Sequence, residues 1–182
     1  MATSKAPAKK AASPKQTPSS SKGPAGSAPM DAVKLLMADH REVSALFKQY
    51  EKLADGEASA EDRKALAEEI CQMLTVHATI EEEIFYPAAR EALEDQDLLD
   101  EAEVEHASAK DLIAQIQSMD ADDDLYDAKV TVLGEYIDHH VQEEEGELFP
   151  KCKKGKMDLA ALGAELDERK SELMGEVTGA DA

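Results

Sequence analysis

The sequence predicts an all-α protein: an antiparallel up-down-up-down four-helix bundle with a short C-terminal fifth helix and a disordered N-terminal tail. Three observations predict it. Apolar residues recur every three or four positions in four long stretches, the period of a helix that buries one stripe. Short polar connections join those stretches, and short loops make antiparallel neighbours. No segment alternates apolar and polar residues as a half-buried strand does.

Residues 1–29 are Ala, Lys, Ser and Pro with almost no large apolar side chain. Such a stretch buries too little surface to offset its ordering entropy and is expected to be disordered. Its five lysines, at 5, 9, 10, 15 and 22, read either as a weak basic arm or as a solvated leader. Without interleaved aromatics they are a poor nucleic-acid footprint. The bundle is expected over 30–152, followed by an amphipathic helix and tail over 153–182.

From Asp31, Val33, Leu36, His40, Val43, Phe47 and Tyr50 mark a first helix over about 31–53, which Asp55-Gly56 ends with a turn signal. Ser59 is the expected N-cap of the second. This helix runs over about 60–92 with a seam of Leu66, Ile70, Leu74 or Met73, His77, Glu81 or Ile80, and Ile84. Pro87 is placed to kink it near its end. After Asp95-Gln96-Asp97, a third helix carries Leu99, Ala102, His106, Ala109, Ile113 and Ile116. The acidic turn Asp120 to Asp124 is expected to supply the next N-cap. The fourth helix carries Tyr126, Val130, Leu133, Ile137, His140 and Glu144 and is expected to stop at Pro150. A fifth, over 158–175, carries Leu159, Leu162, Leu166 and Leu173 and reads as a lid or flank.

Composition narrows the function. The chain has 182 residues and a net charge of −20; beyond residue 30 it holds 15 basic and 40 acidic residues. So acidic a body repels nucleic acid and anionic membranes and attracts cations. There is no apolar run of membrane-spanning length and no secretory leader pattern, so a cytoplasmic protein is expected. The two cysteines, Cys71 and Cys152, are far apart and fit neither a disulfide scaffold nor a thiolate metal site.

Candidate chemistry lies in the histidines. Of the five, at 40, 77, 106, 139 and 140, one falls on the apolar seam of each bundle helix. One seam histidine is ordinarily a hydrogen-bonded core residue. Four independent hits have a chance on the order of one in a hundred if a seam covers a third of each helix. His77 and His140 are each followed four residues later by a glutamate, Glu81 and Glu144, and ten residues later by a proline, Pro87 and Pro150. Four residues is about one helical turn, so imidazole and carboxylate leave the same face. Counted from the loops, neighbouring histidines differ in depth by roughly 6 to 8 Å, a single slab of the core.

Glu81 and Glu144 are prohibitive in a core unless paired or bound to a cation. Glu82, Glu83, Glu143, Glu145 and Glu147 are expected on the solvated face. His139 points about 100° away from the seam and is expected to be peripheral. Four imidazoles and two carboxylates without thiolate suit iron or another first-row ion better than calcium. One metal is assigned to His40 and His77, the other to His106 and His140, with Glu81 and Glu144 bridging.

Asp39-His40, His77-x-x-x-Glu81 with Ile84-Phe85-Tyr86-Pro87, Glu105-His106, and His140-x-x-x-Glu144 with Leu148-Phe149-Pro150 together resemble the hemerythrin-like, or His-His-Glu cation-binding, domain family over about residues 31–150. The resemblance implies a non-haem, oxo- or hydroxo-bridged di-iron centre that binds dioxygen or a related small diatomic ligand. The family's oxygen carriers have a further histidine one turn after that of the third helix, where this chain has Lys110. Water, or Glu103 one turn before His106, is left to fill that place. This favours sensing, iron handling, or peroxide and nitric oxide chemistry over reversible oxygen carriage.

Two alternatives belong to other classes. A ferritin-like di-iron oxidase requires two Glu-x-x-His motifs on separate helices, and only Glu103-Val-Glu-His106 fits. A metal-free acidic interaction module requires a bundle indifferent to metal removal. No nucleophile elbow or reactive-cysteine context points to a triad enzyme.

Overall fold

The computed structural model describes residues 1–2, 30–56 and 58–179. The expected disordered tail over 1–29 lies, past Ala2, outside the described residues. Among the described residues there is no strand, and no helix is long and apolar enough to cross a membrane.

Helix α1 spans Ala32–Ala54, with Asp31 as N-cap accepting from Lys34 N at 3.0 Å. Helix α2 spans Ala60–Ile80, and Ser59 caps it as expected, accepting from Asp62 N at 3.1 Å. A π-helical turn, Glu81–Phe85, then leads into α3, Tyr86–Ala92. Helix α4 spans Asp97–Gln117 and α5 spans Tyr126–Glu143. A second π turn, Glu144–Leu148, leads into α6, Phe149–Lys154, and α7 spans Leu159–Gly179.

Three expectations are corrected. The fourth helical rod does not stop at Pro150 but continues through it to Lys154. Proline breaks an α-helix because it lacks an N–H and crowds the carbonyl four residues back. Here the wider π turn precedes it, with Phe149 N donating to Glu144 O, so the proline follows a turn that has already given up α register. The same device, Tyr86 N donating to Glu81 O, carries the second rod through Pro87. The acidic turn supplies no side-chain cap to α5, whose N-cap is Leu125; Asp123 instead accepts from Asp120 N at 3.0 Å within the turn. Helix α7 has 21 residues and matches α2 and α4 in length.

Helices α1, α2, α4 and α5 form a closed ring, each packed on the next and α5 on α1. Helix α7 lies outside the ring against α1, α2 and the first π turn. Its Leu166 is fully buried, and Leu159, Leu162 and Leu173 pack beside it.

The core is in two parts. One contains Leu36, Ile80, Phe85, Leu99, Leu148, Phe149 and Leu166. The other contains Tyr50, Ile70, Leu74, Ile113, Tyr126 and Leu133. Neither includes the seam histidines, which are buried in their own right. At the second core's edge, Asp127 Oδ1 accepts from Tyr50 OH and Arg63 Nη1, both at 2.6 Å, tying α1, α2 and α5.

Both cysteines are free and buried. Burial pushes each thiol up to about 11, helped by the Glu68 carboxylate at Cys71 and the Glu144 carboxylate at Cys152. At pH 8 the thiolate is then on the order of one part in a thousand, and thiolate is the reactive form. Folded protein is therefore expected to resist iodoacetamide for hours at pH 8 and to take up two equivalents once unfolded in guanidinium. Rapid labelling of the folded chain would contradict this packing.

Candidate metal centre

His40 of α1, His77 of α2, His106 of α4 and His140 of α5 converge, each no more than 8% exposed. Glu81 and Glu144, at 0% and 2%, join them. All six sequence-predicted residues thus lie in one pocket.

Each imidazole turns Nε2 inward. His40 and His77 Nε2 are 3.2 Å apart, and His106 and His140 Nε2 are 3.3 Å apart. Glu81 spans the two pairs: Oε1 is 3.3 Å from His77 Nε2 and Oε2 is 3.4 Å from His106 Nε2. Glu144 Oε2 is 3.3 Å from His40 Nε2 and 3.5 Å from His140 Nε2.

Each imidazole also turns Nδ1 onto a carboxylate. Glu145 lies 2.9 Å from His40, Glu82 2.9 Å from His106, and Glu105 2.8 Å from His140. Asp39 is 3.4 Å from His77. A carboxylate only accepts, so each Nδ1 carries the hydrogen and donates it, leaving the Nε2 lone pair to the pocket. Glu82 and Glu145, expected on the solvated face, are thereby recruited as supports. Their signal in the sequence is adjacency to Glu81 and Glu144. Asp39 and Glu105 each precede a seam histidine but serve the histidine of the next helix.

Tyr86 was not singled out from the sequence. Its hydroxyl donates to Glu144 Oε1 at 3.0 Å and lies 3.3 Å from His106 Nε2. Five residues after Glu81, it would sit about 140° round a regular helix. The π turn brings it back to the same side. Burial and the two glutamates hold its hydroxyl well above the usual tyrosine range, so it remains a donor.

Two residues fall outside the pocket. His139 is 65% exposed, between Glu105 and Glu143 at 3.5 and 3.4 Å. Glu103 pairs with Arg90 at 2.8 Å and does not fill the place left by Lys110. Lys110 Nζ instead holds Glu82, at 2.6 Å from Oε1.

The pocket favours positive charge. Burial opposes ionisation of His77, but the Glu81, Asp39 and Glu144 carboxylates outweigh it and push the imidazole up to about 10. Burial likewise opposes ionisation of Glu81, yet His77 and His106 hold its carboxyl well below the usual carboxylate range. His140 is raised against burial by Glu105 and Glu144.

The donor set fits cations. Glu81 Oε1 and Glu144 Oε2 are buried without a hydrogen-bond partner, a costly condition in the absence of a counter-charge. Neighbouring ligands bonded to one ion at about 2.1 Å stand about 3 Å apart. The 3.2–3.5 Å separations among these nitrogen and oxygen atoms approach that spacing. Two overlapping groups bring their ligand atoms within 4.8 Å of one another, His40, His77, Glu81 and Glu144 on one side and Glu81, His106 and His140 on the other.

Such a fold and pocket define a helical bundle with an internal histidine–carboxylate cation site. The model of the hemerythrin HHE cation binding domain matches residues 31–152, and the chain belongs to that family. It is also similar to the crystal structure of a hemerythrin HHE cation binding domain-containing protein from Mycobacterium kansasii. That similarity has 24% identity and a TM-score of 0.66, and covers 81% of this chain and 89% of that one. No curated protein matches by sequence.

Proposed function

We propose that the pocket is a di-iron centre serving dioxygen or a related small diatomic ligand, in sensing, iron handling or stress chemistry, in a cytoplasmic protein. One iron would be held by His40 and His77 and the other by His106 and His140, with Glu81 and Glu144 available to both. The observation that carries this reading is the Glu81 carboxylate, whose two oxygens address two separate histidine pairs. Residues 30–152 are the metal-binding unit and 153–182 its flank.

A cavity of about 20 Å³ supports the small-ligand part. It is bounded by the imidazoles of His77, His106 and His140 and by Leu74, Ile113 and Ile137. Room on this scale admits one or two water-sized groups.

When bound, iron supplies redox capacity and open coordination positions for such a ligand. The protein's own part is positional. The four carboxylates fix the imidazole tautomers, Tyr86 offers a hydroxyl hydrogen, and Leu74, Ile113 and Ile137 give the cavity an apolar wall. Lys110 stands where the resemblance places an extra histidine in oxygen carriers, and it is occupied with Glu82. One pole therefore has one imidazole fewer, which favours sensing or iron handling over carriage. The oxidase alternative loses its one fitting motif, because Glu103 faces Arg90.

Metal analysis with absorption spectra in air and under argon tests the reading. About two irons per chain are expected, with a near-ultraviolet band that changes on admitting oxygen. Less than one iron per chain after anaerobic reconstitution would overturn it.

A further inference from the structure

Helix α7 lies beyond the matched family domain, yet one of its side chains reaches a support of the pocket and another reaches the first π turn. Lys170 Nζ is 2.6 Å from Asp39 Oδ1. Asp39 is 4% exposed, and its other oxygen faces His77 Nδ1 at 3.4 Å. Arg169 donates to Glu83, in the first π turn, at 2.7 and 3.2 Å. The helix is seated closely enough for both. A Cβ at Gly163 would overlap the Met30 carbonyl oxygen and come within 2.8 Å of Ala32 N. Only glycine allows α7 to cross the start of α1 at this distance.

We propose that α7 is a built-in support of the metal centre, with Lys170 as a positioning residue that sets cation affinity at the His40–His77 pole through Asp39. The inference rests on the metal-centre reading above. A buried carboxylate with one partner is free to rotate. Lys170 pins Oδ1, which leaves Oδ2 to orient the His77 ring. Of the four carboxylates behind the imidazoles, Glu82 is the other with a lysine behind it, Lys110, and that lysine is within the bundle. Asp39 depends on a helix outside the bundle, so α7 acts through it on the His40–His77 pole.

Outer partners of metal ligands typically change metal affinity by about 10 to 100-fold. Lys170 stands one link further out. The test titrates Co2+ into metal-free full-length protein and reads visible ligand-field absorption. Lys170→Met, which keeps the apolar stem, is expected to weaken Co2+ binding about five- to tenfold. Lys170→Arg is expected to restore it. Lys64→Ala removes an equal charge from the Lys64–Asp120 pair at 3.1 Å and is expected to leave binding unchanged. In an Asp39→Asn background, Lys170→Met is expected to add no further loss.

Wild-type Co2+ affinity in Lys170→Met, equal loss in Lys64→Ala, or full additivity with Asp39→Asn overturns the role of α7. His77→Ala separates this from the parent reading. If His77→Ala loses Co2+ while Lys170→Met does not, the α7 inference alone falls. If His77→Ala binds Co2+ like wild type, the metal-centre reading falls and takes the inference with it.

Discussion

His77→Ala is expected to remove at least half of the bound metal and to destabilise the fold by about 3 kcal/mol. His77 Nε2 stands 3.2 Å from His40 Nε2 and 3.3 Å from Glu81 Oε1. Truncation leaves the first pole with one imidazole. It also leaves Glu81, which is 0% exposed, with His106 as its remaining imidazole neighbour. Removing one partner of a buried pair costs more than the pair contributes, because the other charge stays where water cannot reach it. For a chain of this size, 1 kcal/mol is about 2–4 °C, so Tm should fall by about 6–12 °C. His139→Ala is the contrast. That side chain is 65% exposed, so its loss should stay within about 0.5 kcal/mol and leave metal content unchanged. Elemental analysis and thermal melts of both variants and of His140→Ala decide the matter. Full metal in His77→Ala, or a greater loss in His139→Ala than in His140→Ala, would sink the ligand assignment.

The contrast between these two neighbouring histidines was legible in the sequence because helical periodicity is strict. A seam running through Val130, Leu133 and Ile137 reaches His140 and leaves His139 outside, and the structure buries the first and exposes the second. The expense of a buried carboxylate marked Glu81 and Glu144 in the same way. What periodicity does not reveal is how one helix serves the next. Asp39 of α1 backs His77 of α2, and Glu82, next to Glu81, backs His106 of α4. Glu105 of α4 backs His140 of α5, and Glu145, next to Glu144, backs His40 of α1. The supports thus run once round the ring. Each is one residue from a pocket residue, about 100° off its own seam, and on a lone helix that direction reads as solvent. Only the neighbouring helix turns it inward. The π turns were hidden for a related reason. Pro87 and Pro150 mark a disturbance, but sequence does not say whether the helix ends or widens, and here it widens and brings Tyr86 over the pocket.

Stripping the metal is expected to lower Tm by a larger margin than any surface substitution. The six inward donors form a polar layer between two apolar cores. Without a cation, Glu81 Oε1 and Glu144 Oε2 have no hydrogen-bond partner, and the inward imidazole nitrogens crowd one another in pairs at 3.2 and 3.3 Å. A ligand that binds only the native state stabilises it by about 4 kcal/mol at a thousand times its Kd. At about 2–4 °C per kcal/mol, chelation should lower Tm by about 8–16 °C. Anaerobic Fe2+ should restore it, whereas Mg2+ or Ca2+ should not, because hard cations prefer an all-oxygen shell to four imidazoles. An acidic bundle that acts only as an interaction module would melt at the same temperature with and without chelator. Equal recovery with Ca2+ would reduce the effect to screening of the excess negative charge. Recovery with Fe2+ alone ties the stability of the bundle to the chemistry of its inner layer.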